Sequence, residues 1–176
     1  MNTLVYRELP PNLEDELEVW YERLICSDPE YAGIDRWAEP DYTLVSFDGD
    51  QWVSTAELAD RRVRVGTVLV RIAGISGVMT HPDYRGRGLA QDIMRWVVEL
   101  AAERLSDTEF GLLDCRNELV GFYEPLGWRR EPGKILYTLD GRQAIFDPEH
   151  VNIMVYPIKS GAVWPGGDVD LLGLPW

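Results

Sequence analysis

The sequence predicts a mixed α/β fold, a sheet of several short strands flanked by helices. Three observations carry that prediction. Apolar runs of strand length, bounded by turn signals, interleave with two stretches of helical period. One long apolar strand passes through a Gly-rich loop directly into a helix. The chain of 176 residues, 45% hydrophobic and 27% charged, suits one domain, residues 1–176, with a substantial core.

In chain order, Thr3 to Leu9 reads as a first strand. A helix is expected over Leu13 to Ile25, with Leu13, Leu17, Trp20, Tyr21 and Leu24 as its apolar stripe. Asn12 reads as its N-cap, followed by Glu14, Asp15 and Glu16 where negative charge is favoured. Cys26 to Pro40 reads as a loop or broken helix. Its Asp28, Glu30, Tyr31, Asp35, Trp37 and Glu39 suit either a cation-binding wall or a solvated loop over buried aromatics.

Strands over Tyr42 to Phe47 and Gln51 to Ala59 flank the hairpin signal Asp48-Gly49-Asp50, and Arg61-Arg62 read as the start of a second connection. Thr67 to Thr80 is a long apolar strand broken by Gly74 and Gly77, which points to a bulge or a close backbone approach. From Leu89 the apolar residues Leu89, Ile93, Trp96, Val97 and Leu100 fall on one helical face, ending near Leu105. A short buried strand is expected over Phe110 to Cys115, then a short helix over Asn117 to Tyr123 that Pro125 and Gly127 terminate. Ile135 to Leu139 and Val151 to Pro157 read as further strands, before a Gly- and Pro-rich tail from Ser160 to Trp176.

The net charge of −13 is unevenly spread. Residues 1–60 hold 15 acids and 3 bases, residues 61–139 hold 10 and 12, and residues 140–176 hold 5 and 2. Acidic ends argue against nucleic acid, which wants basic stripes, and fit a small cationic partner; acidity serving only solubility is the plainer alternative. No apolar run is long enough to span a membrane, since Arg71 interrupts the best candidate. The N-terminus lacks the layout of a signal peptide. Cys26 and Cys115 have no metal spacing and read as reduced packing residues of a cytoplasmic protein, so no metal is expected.

The junction between the long strand and its helix carries the chemistry. Arg85, Gly86, Arg87 and Gly88 fall at the first turn of the helix that Leu89 and Ala90 open. A helix start offers unpaired N–H groups and a positive dipole end, and glycines let backbone approach an anion closely. A phosphate cradle and a plain turning connection both fit the glycines alone. The pattern Arg85-x-x-Gly88-x-Ala90, after a strand and before a helix, resembles the acetyl-CoA pyrophosphate loop of the GCN5-related N-acetyltransferases. Phe122-Tyr123-Glu124-Pro125-Leu126-Gly127-Trp128 is similar to the Tyr-x-x-x-Gly-aromatic signature of the same family.

The resemblance implies the GNAT fold: a mixed, mostly antiparallel twisted sheet with a splayed central strand pair. It implies acetyl-CoA as cofactor, held by Val78, Met79, Thr80, Arg85, Gly86, Arg87, Gly88, Leu89, Ala90 and Tyr123. It implies Tyr123 as the acid that protonates the leaving thiolate and the Val78 N–H as donor to the thioester oxygen. Within the family, the chain most resembles the aminoglycoside 2′-N-acetyltransferases, in Gly77-Val78, Tyr84-Arg85-Gly86, Leu126-Gly127-Trp128, Val155-Tyr156-Pro157 and an acidic tail closing on Trp176. That likeness implies a terminal carboxylate at the substrate. It also departs: where those enzymes carry a glutamate before the Gly-Val, this chain has Ser76. A serine can hold a water but is a poor base.

Base work is therefore expected from another acid, such as Asp35, Glu149, Asp168 or Asp170, or from His150, and amine recognition from Asp28, Glu30, Asp35, Trp37, Glu149, His150, Asp168, Asp170 and Trp176. His81, before Pro82, reads as structural. The implied activity is acetylation of an amino-sugar antibiotic of the aminoglycoside or kasugamycin type, a resistance function. Acetylation of another small amine or a peptide amine, and a non-catalytic acyl-CoA-binding domain, are the alternatives. Family members pair through C-terminal strands, which implies a homodimer.

Overall fold

The computed structural model describes residues 1–26, 29–31 and 33–176, without the side chains of Ile25, Cys26 and Glu30. The elements are β1 (Asn2–Tyr6), α1 (Pro11–Tyr21), β2 (Tyr42–Asp48), β3 (Gln51–Val65), β4 (Val68–Thr80), α2 (Leu89–Arg104), β5 (Phe110–Arg116), α3 (Val120–Tyr123), β6 (Arg129–Glu131), β7 (Ile135–Leu139), β8 (Arg142–Ile145), β9 (Val151–Pro157) and β10 (Val169–Asp170). The strands form one sheet in the order β6-β9-β5-β4-β3-β10-β7-β8, with β2 and then β1 added beside the first half of β3. Among the described residues only β4–β5 and β10–β7 pair in parallel. This is the mixed, mostly antiparallel sheet flanked by helices that the resemblance implied.

β3 departs from its expected boundary. It runs through Arg61-Arg62 to Val65, because Val63 and Val65 point inward while Arg62 and Arg64 alternate outward. The tail supplies its partner there, Val169 opposite Val65 and Asp170 opposite Arg64. α1 begins at Pro11, two residues before the expected start. A proline at the first position has the helical φ already and needs no N–H partner, and no side chain caps this end. After Tyr21 the helix widens into a π-turn over Glu22–Cys26. Trp96 is 39% exposed on α2, and Met94 and Ala101 take the buried places beside Ile93, Val97 and Leu100.

Two apolar clusters lie on opposite faces of the sheet. One packs α2 against Leu58, Ala73, Ile75, Leu113 and Cys115, with Tyr123 and Trp128. The other gathers Ala59, Ile72, Leu112, Phe146, Leu171 and Trp176. Trp176 is only 6% exposed. Its indole lies against Gly74, where a Cβ would come within 2.4 Å of the ring. The tail is tied down by Ala38 N–H donating to Pro175 O (2.7 Å) and by Arg61, which donates to Leu174 O (3.3 Å) and stacks over the Trp176 ring. Among the described residues no helix is long and apolar enough to cross a membrane.

Candidate active site

The site begins at an irregularity in β4. Thr55 of β3 pairs with Met79, but Glu57 pairs with Ser76, so β4 holds one residue more than β3 over this interval. The extra residue falls at Gly77-Val78, with Gly77 at φ +56°, the geometry of a bulge with a left-handed glycine. Thr55 Oγ1 donates to Gly77 O (2.8 Å) and Ser54 Oγ to Met79 O (2.9 Å), fixing the bulge from β3.

The other edge of β4 opens at the same level. Its parallel pairing with β5 covers only Ile72 to Gly74, opposite Phe110 to Leu112. Beyond Gly74 the two strands separate, while β5 stays paired antiparallel to β9 on its other edge from Phe110 to Arg116. The opening is a cavity of about 300 Å³ lined by Ser76, Val78, Thr80, Arg85, Asp114 and Tyr123, among others. A second cavity, of about 410 Å³, shares Val78, Thr80, Arg85 and Tyr123 and runs to Gly86, Gly88, Leu89 and Ala90 at the start of α2. No side chain caps that helix start, and Gly88 precedes it at φ +82°. The loop's backbone donors are thus available to an anion, with Arg85 between the two cavities. Arg87 instead donates to Asp83 O and stacks over Tyr84. His81 accepts from Asp83 N–H and packs among Trp20, Trp52 and Tyr84, a structural position.

A third cavity, of about 520 Å³, meets the first along Tyr21, Trp37, Met79 and Trp176. Its walls carry Glu8, Glu14, Glu18, Glu39 and Glu57 against Arg7. Glu57 is the residue sequence reasoning missed. It lies deep, over Gly77, where a Cβ would come within 2.6 Å of its carboxyl carbon. Ser76 Oγ donates to Glu57 Oε2 at 2.9 Å. Burial pushes the Glu57 pKa up, the Ser76 bond pulls it down, and the negative charge of Glu39 adds to the rise. The signal that could have found it is register: a strand partner of Ser76 across the β3–β4 hairpin.

Tyr123 is buried, and burial raises its phenol pKa, so the hydroxyl keeps its proton. Trp37 and Trp176 line the acidic cavity. The other expected acceptor residues are not brought together there. Asp35 is exposed beside Arg36, and Glu149 and His150 sit on the turn before β9, where His150 meets Asp147 at 3.1 Å. Asp168 accepts from Lys134 N–H (2.8 Å) and Asp170 pairs with Arg64 (3.7 Å), so both hold the tail in place. Asp28 and the Glu30 side chain lie outside the described residues.

The residues present fit an acyl-CoA. The unpaired edge of β4 past Gly74 can add an extended amide-bearing arm as a strand would, and the uncapped α2 start can take its phosphates. A family model described as Acetyltransferase (GNAT) domain matches residues 25–130, more than half of the 176. The chain belongs to that family and is an acyl-CoA-dependent N-acetyltransferase that acts on an amine. ElaA of Escherichia coli is similar in structure, with a TM-score of 0.60 at 16% identity over 88% of this chain and 98% of that one. An acyl-CoA N-acyltransferase from Pseudomonas aeruginosa gives 0.57 at 18% over 88% and 98%. NAA60 of Arabidopsis thaliana, solved with a bisubstrate analogue, gives 0.59 at 12% over 89% and 98%. At these identities the likeness is one of fold. No curated protein matches the chain in sequence.

Proposed function

We propose that the chain moves an acetyl group from acetyl-CoA to a primary amine of a small cationic amino sugar, an antibiotic of the aminoglycoside or kasugamycin type, and so confers resistance. The observation that carries this reading is Glu57, a deep carboxylate in an acidic cavity that joins the acyl-CoA cleft across Met79 and Trp176.

Acetyl-CoA supplies a thioester-activated acyl group. Glu57 takes the proton that the acceptor ammonium must lose before its nitrogen can attack. Ser76 holds the carboxylate in place through its 2.9 Å bond. The Val78 N–H, on the bulge, is the donor to the carbonyl oxygen as negative charge develops. Tyr123 gives its proton to the departing sulfur, and its raised pKa keeps that proton available. The acidic walls at Glu8, Glu14, Glu18 and Glu39 attract an acceptor carrying several positive charges.

The test is CoA release from acetyl-CoA against a panel of aminoglycosides, kasugamycin, polyamines and peptides. Release is expected with the amino sugars, at a higher kcat/KM than with peptides. Release with peptides alone, or with nothing despite tight acetyl-CoA binding, overturns the reading.

A further inference from the structure

We propose that Asp114 is a second, specificity-determining anchor of the acceptor site, binding an ammonium group of the substrate other than the one that reacts. This rests on the acceptor reading above and narrows it: the preferred substrate carries at least two amines, one at Glu57 and one at Asp114.

The alternation of β5 sets the direction of Asp114. Leu113 and Cys115 belong to the cluster under α2, and Phe110 and Leu112 to the cluster around Trp176. Asp114 therefore shares the Trp176 face of the sheet. Glu57 and Ser76 share it too, since Ala59 and Ile72, two and four residues away along their strands, pack in that same cluster. The two carboxylates thus stand on one face, on strands either side of the gap past Gly74, and Trp176 lines the cavities that each of them faces.

The chemistry of Asp114 calls for a cation. Its carboxylate lies deep yet keeps some accessible surface, and that surface faces the cavity of about 300 Å³. Tyr31 Oη donates to Oδ2 at 2.7 Å. Among the described residues no arginine or lysine pairs with the group, and burial pushes its pKa up to about 6. A deep carboxylate held only by neutral donors, the Tyr31 hydroxyl and a backbone N–H, is poorly compensated. An ammonium entering the cavity would compensate it, and the rings of Tyr31 and Trp37 line the same cavity.

The amide of the pantetheine arm is the rival partner, and kinetics separate the two. We would compare wild type with Asp114→Asn, using glucosamine as the one-amine acceptor and 2,6-diamino-2,6-dideoxyglucose as the two-amine acceptor. The variant should raise KM for the diamino sugar by roughly ten- to hundredfold, the range of a lost charged hydrogen bond. KM for glucosamine and acetyl-CoA should move less than about twofold, far below that range, which also reports an intact fold. Asp114→Glu should restore part of the discrimination. An equal rise for both sugars, a rise in acetyl-CoA KM, or no change overturns the proposal.

If wild type turns over neither sugar, calorimetric titration of the diamino sugar decides. Binding weakened by Asp114→Asn upholds the anchor while the acetyl-transfer reading of these sugars fails. Absence of binding, or binding indifferent to Asp114, removes the anchor.

Discussion

Glu57→Gln is the most informative perturbation, because it changes charge and little else. Glutamine matches glutamate in shape, and its Oε1 can still accept the Ser76 hydroxyl that donates to Glu57 Oε2 at 2.9 Å. The covering of Gly77 is kept as well. What is lost is the capacity to take a proton. A positioned general base contributes roughly 10²- to 10⁴-fold, about 3–5 kcal/mol of barrier at 1.36 kcal/mol per decade. We expect kcat to fall by that range, acetyl-CoA affinity to stay unchanged, and the amine KM to rise as one negative charge leaves the acidic cavity.

The pH profile gives an independent reading of the same variant. Burial raises the Glu57 pKa above its ordinary 4.5, and the base works only when ionised, so wild-type kcat/KM should climb with pH through an acid limb set by that raised value. With glucosamine as acceptor, which leaves Asp114 unengaged, the limb should vanish in Glu57→Gln. Stability runs the other way. A carboxyl whose pKa is raised on folding imposes no penalty below 4.5, an increasing one as pH climbs to its folded value, and the full one above. The variant should therefore melt no lower than wild type at neutral and alkaline pH, which separates lost chemistry from lost fold. CoA release followed with a thiol reagent, across pH, is the assay. Turnover within about threefold of wild type, far short of the loss expected for a base, or an acid limb that persists, would refute the assignment.

Ser76→Ala removes the bond that pulls the Glu57 pKa down, so its acid limb should move to higher pH while turnover on the plateau is largely kept; a pH profile checks it. Tyr123→Phe should lower turnover by roughly 10²-fold or more with acetyl-CoA affinity nearly unchanged, as measured by equilibrium binding beside steady-state rates. Deleting Trp176 empties its place against Gly74 and should cost about 3–5 kcal/mol, the range for a large buried aromatic. It should raise the amine KM more than the acetyl-CoA KM, which thermal melts and kinetics together can test.

What the sequence made legible was local. The strand, Gly-rich loop and helix from Val78 to Ala101 announce themselves through adjacent residues, and Gly77 inside an apolar run marks the bulge. The second half of β3 was hidden, because Arg61-Arg62 look like a turn until Val63 and Val65 are seen to alternate inward and Val169-Asp170 return to pair with them. Asp168 and Asp170 looked like acceptor ligands for the same reason in reverse: acidic residues near a terminal tryptophan, whose partners Lys134 and Arg64 lie far off in sequence. Asp114 was read as one residue of a short buried strand. Only the splay between β4 and β5 gives its side chain a cavity to face.

Glu57 shows why such residues escape a linear reading. Ser76, nineteen positions on, draws attention as the place where the aminoglycoside-type resemblance expects a glutamate, and seen alone it suggests a missing base. The ladder reverses that conclusion. Glu57 is the cross-strand partner of Ser76, so a carboxylate reaches the same point from β3. It can do so because the extra residue at Gly77-Val78 presents a glycine beneath it, at a φ of +56° that L side chains rarely adopt. The bulge also lies on the stretch of β4 that has left β5, where the edge facing away from β3 has no β5 partner. On the proposed reading, then, one backbone irregularity sets both halves of the reaction: it seats the base on the acceptor face and frees the Val78 N–H for the acyl oxygen. Gly77 and Glu57 are therefore coupled. A side chain at Gly77 must displace the carboxylate as well as strain the bulge, so the share of its effect on turnover that runs through the base should be absent when Glu57 is already glutamine.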